Sequence, residues 1–157
     1  MILGIDHVGL AVAATGAAAD TFTRLTGGPA GAVEALPEQG VRVCFVPGHW
    51  PATADPFSAT RLELLEPTDP TTPVGRFLAR RGEGMHHICF AVDDILAELA
   101  RLERDGFELI DRTPRRGHGG LVAFLHPRSA HGVLVELVQR DPRGAPPTPA
   151  GVSAVGH

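Results

Sequence analysis

The sequence predicts an α+β fold made of two copies of one β-rich module, and two correspondences carry that prediction. The segment Asp6-His7-Val8-Gly9-Leu10-Ala11-Val12 lines up with His86-His87-Ile88-Cys89-Phe90-Ala91-Val92, so a histidine stands at the same point of each copy, 80 positions apart. Near the end of each copy, Arg61-Leu62-Glu63-Leu64-Leu65 lines up with Leu134-Val135-Glu136-Leu137-Val138, which sets one carboxylate inside an apolar strand, 73 positions apart.

The elements follow in order. After the opening strand, residues 15 to 25 read as a helix ended by Gly27 and Gly28. Gly40 to Val46 and Thr60 to Leu65 have the apolar, β-branched character of strands. Between them, residues 48 to 59 carry Trp50, Pro51 and Pro56 where a tight turn would suffice, which predicts an extended loop over a site. Pro67 to Pro73 is a proline and threonine linker, and Val74 to Arg81 reads as a short helix stopped by Gly82. In the second copy, Asp93 and Asp94 cap a helix in which Ile95, Leu96, Leu99 and Leu102 recur at helical spacing up to Gly106. Strands are expected over Phe107 to Asp111, Leu121 to Leu125 and Gly132 to Val138, so each half reads as strand, helix, then two or three strands. Residues 1–140 form one domain on this reading: module one 1–66, linker 67–82, module two 83–140. The proline- and glycine-rich tail 141–157 reads as disordered.

Composition narrows the function. A chain of 157 residues that is 43% hydrophobic can bury a core without staples. Cys44 and Cys89 lie in apolar runs, and the N-terminus lacks the order of a signal peptide, which predicts reduced thiols and a cytoplasmic location. No apolar run reaches the roughly 20 residues that cross a bilayer. Fourteen basic residues against eighteen acidic ones give a charge of −4, so nothing invites nucleic acid or an anionic membrane, and a small-molecule partner is expected.

Strand alternation puts His7, Gly9 and Ala11 on one face and His87, Cys89 and Ala91 on the equivalent face, with small residues leaving space beside each ring for a ligand. Glu63 and Glu136 would be costly to bury unpaired, and no basic residue is expected beside either on its strand face. One divalent cation held by His7, Glu63, His87 and Glu136 satisfies all four groups, and mixed nitrogen and oxygen ligation suits zinc, cobalt, nickel, manganese or iron. His86 is expected to point the opposite way in a structural role. His126 and His131 flank the last turn as surface or substrate-loop residues, and His49, His118 and His157 carry no case beyond position.

The paired module with this quartet resembles the vicinal oxygen chelate superfamily of glyoxalase I, extradiol dioxygenases, drug-resistance proteins and methylmalonyl-CoA epimerases. It is most similar to the epimerases, on Ile5-Asp6-His7-Val8-Gly9, Pro37-Glu38-Gln39-Gly40-Val41, Glu63-Leu64-Leu65-Glu66-Pro67, Gly82-Glu83-Gly84-Met85-His86-His87-Ile88, Val92-Asp93-Asp94-Ile95, and Phe124-Leu125-His126-Pro127 through Gly132-Val133-Leu134-Val135-Glu136-Leu137. These segments span roughly residues 5 to 139. The resemblance implies two tandem βαβββ modules forming a cleft around one metal site, and interconversion of the C2 epimers of methylmalonyl-CoA through a metal-stabilised enolate. It implies one divalent ion, cobalt foremost, then zinc, nickel or manganese, and a homodimer. It makes Glu136 both ligand and acid/base; Glu63, where some relatives have glutamine, stands in as the carboxylate on the other side of the metal. Some relatives carry a glutamate three residues beyond the Pro-Glu-Gln-Gly glycine, where this chain has Val43. Arg115 and Arg116, in a stretch like the family's glycine-rich turn, are candidates for the coenzyme phosphates, and Arg128 and Ser129 for the acyl carboxylate or nucleotide. Alternatives on the same scaffold are a glyoxalase-like isomerase or lyase and a sequestering resistance protein.

Overall fold

The computed structural model describes residues 1–48 and 60–142, so most of the predicted 48–59 loop and of the 141–157 tail lies outside the described residues. The chain runs β1 (Ile2–Ala11), α1 (Thr15–Thr26), β2 (Glu34–Leu36), β3 (Val41–Pro47), β4 (Arg61–Pro67), α2 (Pro73–Arg81), β5 (Gly84–Val92), α3 (Ile95–Arg104), β6 (Arg115–Gly117), β7 (Gly120–Leu125) and β8 (Val135–Arg140), with short 3-10 turns at Pro37–Gln39 and Pro127–Ala130. The strands form one mixed sheet in the order β2-β3-β4-β1-β5-β8-β7-β6, curled into a half-barrel. Each half is therefore a βαβββ unit, and the order is a palindrome about the β1–β5 pair.

Helix ends follow local chemistry. Thr72 accepts from the Gly75 amide ahead of Pro73, and Gly82 ends α2 at φ 73. Asp94 accepts from the Ala97 amide to start α3. Gly27, at φ 76, closes α1 in the left-handed region that glycine tolerates.

The outer face carries the main packing. Phe22 and Ala18 of α1 rest on Cys44, Val46 and Leu64, while Ile95, Leu99 and Leu102 of α3 rest on Ala123, Leu125 and Leu137. The inner face is unequal: α2 covers Val41, Val43, Ala11 and Leu65 in the first half, whereas in the second half Cys89, Val122 and Val138 form a small cluster with no helix over it among the described residues.

Two element assignments change. Phe107 to Asp111 is not a strand. Leu109 makes only an isolated bridge to Leu125, and the Ile110 and Asp111 amides both donate to the Phe124 carbonyl, so no ladder propagates. The third strand of that half is β6, across a tight turn from β7, and its counterpart β2 is also one the sequence reading lacked.

Candidate metal centre

The centre lies where β1 and β5 run antiparallel, with Gly9 opposite His87 and His7 opposite Cys89. On the flanks, parallel pairing sets Glu63 of β4 beside Gly9 and Glu136 of β8 beside Cys89. The predicted quartet is thereby brought together. The two Nε2 atoms are 3.1 Å apart. Glu136 Oε2 is 2.9 Å from His87 Nε2 and 3.5 Å from His7 Nε2, and Glu63 Oε2 is 3.4 and 3.3 Å from the same atoms. One donor atom from each of the four residues lies within 4.8 Å of all the others, and all four residues are buried. Such a set of two imidazoles and two carboxylates can hold a divalent metal ion. The space expected beside the rings is partly used by the quartet itself: a Cβ on Gly9 would stand 2.1 Å from His87 Cε1, so glycine there makes room for the His87 ring.

The electrostatics follow from burial opposed by close partners. Burial pulls the His87 pKa down, but Glu136 and Glu63 outweigh it and raise the value to about 9. His7 is raised further, because Asp6 and both glutamates overcome the same desolvation. In return, Glu63 and Glu136 are held below the usual carboxylate range despite burial. Burial pushes the Cys89 thiol up to about 12, so it sits beside His7 as a neutral thiol.

The β1–β5 register slips at three points, and two of them fall in the site. Between Ile5 and His7, β1 carries an extra residue against β5, and that residue is Asp6; between Gly9 and Leu10 the extra residue is on β5 and is His86. A bulge re-aims a side chain, so each quartet histidine has its preceding neighbour folded in beside it. Asp6 Oδ1 lies 2.7 Å from His7 Nδ1, and His86 Nδ1 lies 3.0 Å from His87 Nδ1. His86 thus lines the cleft rather than pointing away, and burial together with the His87 charge lowers its pKa to about 4. Asp6 is a site residue the sequence reading missed. It also accepts from Arg61 Nη2 at 3.0 Å and from Arg140 Nη2 at 2.6 Å. The expectation that no basic residue lies near the strand glutamates is likewise corrected: Arg61 is two residues before Glu63 and Arg140 four after Glu136, on the same faces, but both turn to Asp6 and leave the glutamates to the histidines.

A cleft of about 230 Å³ opens over this floor, walled by apolar Val41, Leu65, Val122 and Phe124, and its lining includes Glu38, Arg115 and His118. His118, which had no case in sequence, tilts over Phe45 at 5.0 Å between ring centroids, and Phe45 in turn packs edge-on to His7. Arg115 lines the cleft above the Phe124 ring, with a looser ion pair of its Nε to Asp111 Oδ1 at 3.7 Å. The other predicted substrate residues are engaged within the chain: Arg116 grips Asp141 through both Nη atoms, Arg128 pairs with Glu108 at 2.9 Å, and Ser129 Oγ accepts from the Glu108 amide. Val43 is sealed in the apolar cluster under α2. His126 caps the Pro127–Ala130 turn by accepting from the Arg128 amide, and His131 ends it at φ 53.

Residues 6–124 match the family model described as the glyoxalase/bleomycin resistance protein/dioxygenase superfamily, and the chain belongs to that superfamily. Within it, the chain is 37% identical over 142 residues to the ethylmalonyl-CoA/methylmalonyl-CoA epimerase of Cereibacter sphaeroides, covering 88% of this chain and 99% of that protein. A solved structure of a Streptomyces coelicolor methylmalonyl-CoA epimerase variant with 2-nitronate-propionyl-CoA superposes with a TM-score of 0.81 at 37% identity, covering 90% of this chain and all of the other. A methylmalonyl-CoA epimerase solved with methylmalonyl-CoA and ammonium gives 0.80 at 38% identity, covering 89% and 96%.

Proposed function

We propose that this chain interconverts the C2 epimers of methylmalonyl-CoA, using one divalent ion held by His7, Glu63, His87 and Glu136. The observation that carries the reading is the convergence of those four donors at the floor of one cleft, in a chain alignable along nearly its whole length with proteins of that activity. The residues fit a cation: two buried carboxylates face two imidazoles, and the nearby guanidiniums turn away from them. A divalent ion there would supply Lewis acidity, offsetting negative charge on the thioester oxygen as C2 loses its proton. Glu136 is the acid/base on one face of the planar enolate, and Glu63 is the carboxylate for the other. Phe45 and Phe124, each cross-strand from one of these glutamates, keep the floor apolar. Arg115 on the cleft wall is the first candidate for the coenzyme phosphates. Arg116, Arg128 and Ser129 join it only by giving up their present partners.

Cobalt is the first ion to try, with zinc, nickel and manganese beside it. The exposed Ile2, Leu3 and Ile5 along β1 support the expected homodimer, which sedimentation equilibrium tests. Among the described residues no helix is long and apolar enough to span a membrane.

The test is proton-to-deuterium exchange at C2 of methylmalonyl-CoA in heavy water, with metal-free, cobalt-loaded and cobalt-loaded Glu136→Gln protein. Exchange should require the metal and drop roughly 10²- to 10⁴-fold in the variant, with cobalt retention checked by absorbance. No exchange in fully metallated protein would sink the reading and turn the search to glyoxalase-type isomerisation of a thiol adduct. A chain that takes up no metal would point to sequestration.

A further inference from the structure

Arg61 opens β4 two residues before Glu63, so both side chains leave the same face of the strand, and both line the cleft. Its guanidinium is fixed from two directions: Nη2 donates to Asp6 at 3.0 Å, and Cζ lies 4.2 Å from the centroid of the Phe45 ring. Nε is left over. It is buried, and among the described residues nothing accepts its N–H. Buried donors are nearly always satisfied, and an orphan marks a place where a partner is expected. The nearby acceptors are committed elsewhere, since Glu63 and Glu136 face the histidines and Asp6 already takes His7, Arg61 and Arg140. Pseudo-symmetry adds a second reason. Glu63 corresponds to Glu136, so Arg61 corresponds to Leu134, and a metal centre built by duplication does not require a cation at that point. The chain has no lysine, so guanidinium is its only side-chain group of permanent positive charge, and among the described residues Arg61 and Arg115 are the two that line the cleft.

We propose that Arg61 is a specificity-determining residue whose Nε–H receives the free carboxylate of the acyl group, selecting acyl-CoA esters that carry a carboxylate on the carbon next to the thioester carbonyl. The proposal rests on the acyl-CoA reading above. A charge-assisted N–H to carboxylate bond is among the stronger single contacts available, and arginine offers it with fixed geometry once its other edge is held. Asp6 and Phe45 provide that hold.

Cobalt-loaded wild type, Arg61→Lys and Arg61→Gln are titrated calorimetrically with malonyl-CoA and with acetyl-CoA, which differ by the carboxylate. Lysine keeps the positive charge and can reach Asp6 but places no N–H at the Nε position. Wild type should prefer malonyl-CoA, and that preference should fall about tenfold or more in both variants, while cobalt absorbance shows Arg61→Lys holding its metal within about threefold of wild type. A preference unchanged in Arg61→Lys and Arg61→Gln, or absent from wild type, overturns the assignment. These binding ratios need no turnover, so a failure of C2 exchange would overturn the epimerase reading while leaving Arg61 to be judged on its own result.

Discussion

The two halves of the molecule share a skeleton but not the residues that surround it. His7 and His87, Glu63 and Glu136, and Phe45 and Phe124 occupy equivalent points on equivalent strands. Around them the pairs diverge: Gly9 stands where the second half has Cys89, Asp6 where it has His86, Arg61 where it has Leu134, and Glu66 where it has Gln139. The repeat sets where the four donors converge, and the flanking residues decide how each histidine is held.

Gly9 and Cys89 give the largest break in the symmetry. Each faces the other half's histidine across the β1–β5 pair; Gly9 has the His87 ring packed over its α-carbon, whereas Cys89 sets a thiol beside His7. In Gly9→Ala the new methyl overlaps His87, so the ring must leave its place, and cobalt affinity should fall about 10- to 100-fold, as when a metal-binding histidine loses what orients it. Cys89→Ala removes one sulfur from a small cluster and should cost about 1 kcal/mol of stability with the site intact. Cobalt titration of the two variants, with urea unfolding alongside, reads both effects. Equal metal affinities would show that the close approach at Gly9 does not position His87.

Asp6 and His86 differ more subtly. A carboxylate on the far nitrogen of a ligand histidine fixes its tautomer and orientation, and its removal typically costs 10- to 100-fold in metal affinity. Asp6 is suited to that role because its hydrogen bonds to His7 and Arg140 overcome burial and keep its pKa low. The second half has only the half-buried imidazole of His86, whose pKa near 4 makes it neutral at pH 7. Asp6→Asn should therefore lower cobalt affinity about 10- to 100-fold and shift the cobalt visible spectrum, whereas His86→Gln should change affinity less than about threefold. The reverse ranking would mean that the Asp6 clamp braces the sheet and not the metal ligand.

These asymmetries also mark how far the sequence could be read. The quartet, the α1 and α3 positions and the two-module plan were legible because they rest on periodicity and on a repeat, both of which survive in one dimension. Asp6 and His86 were not, because alternation assigns neighbours to opposite faces, and a bulge is a property of two paired strands. Arg61 sat in plain view two residues from Glu63, but its partner Asp6 arrives from another strand. His118 needed the β6–β7 turn to bring it over Phe45. Short strands such as β2 and β6 carry too few residues to show a period, and Phe107 to Asp111 has strand composition but lacks a partner that continues the ladder.

The smallest difference separates the helix starts. The first amide of α1, on Thr15, donates to Glu66 at 2.8 Å; the first amide of α3, on Ile95, donates to Gln139 at 2.9 Å. Both acceptors come from the last strand of their own half, three residues beyond the quartet glutamate. Asp94 additionally caps α3, whereas Ala14 gives α1 no side-chain cap, so Glu66 serves α1 alone. The bonds from Thr15, together with Arg42, hold the Glu66 carboxyl below its ordinary value. A carboxyl lowered in the folded state stabilises it fully above the unfolded-state pKa, near 4.3, and that contribution disappears as pH falls through the lower folded value. Glu66→Ala should thus cost about 1 kcal/mol at pH 7, as loss of a helix cap does, and almost nothing once Glu66 is protonated. Gln139→Ala should cost less, because Asp94 remains, and equally at both pH values, because an amide does not titrate. In an NMR titration the Thr15 amide should shift with a midpoint below that of an ordinary glutamate while Ile95 stays flat. Joint titration of the two amides would show that acid loosens the whole sheet before it reaches the cap, and the difference between the halves would then lie in the metal centre alone.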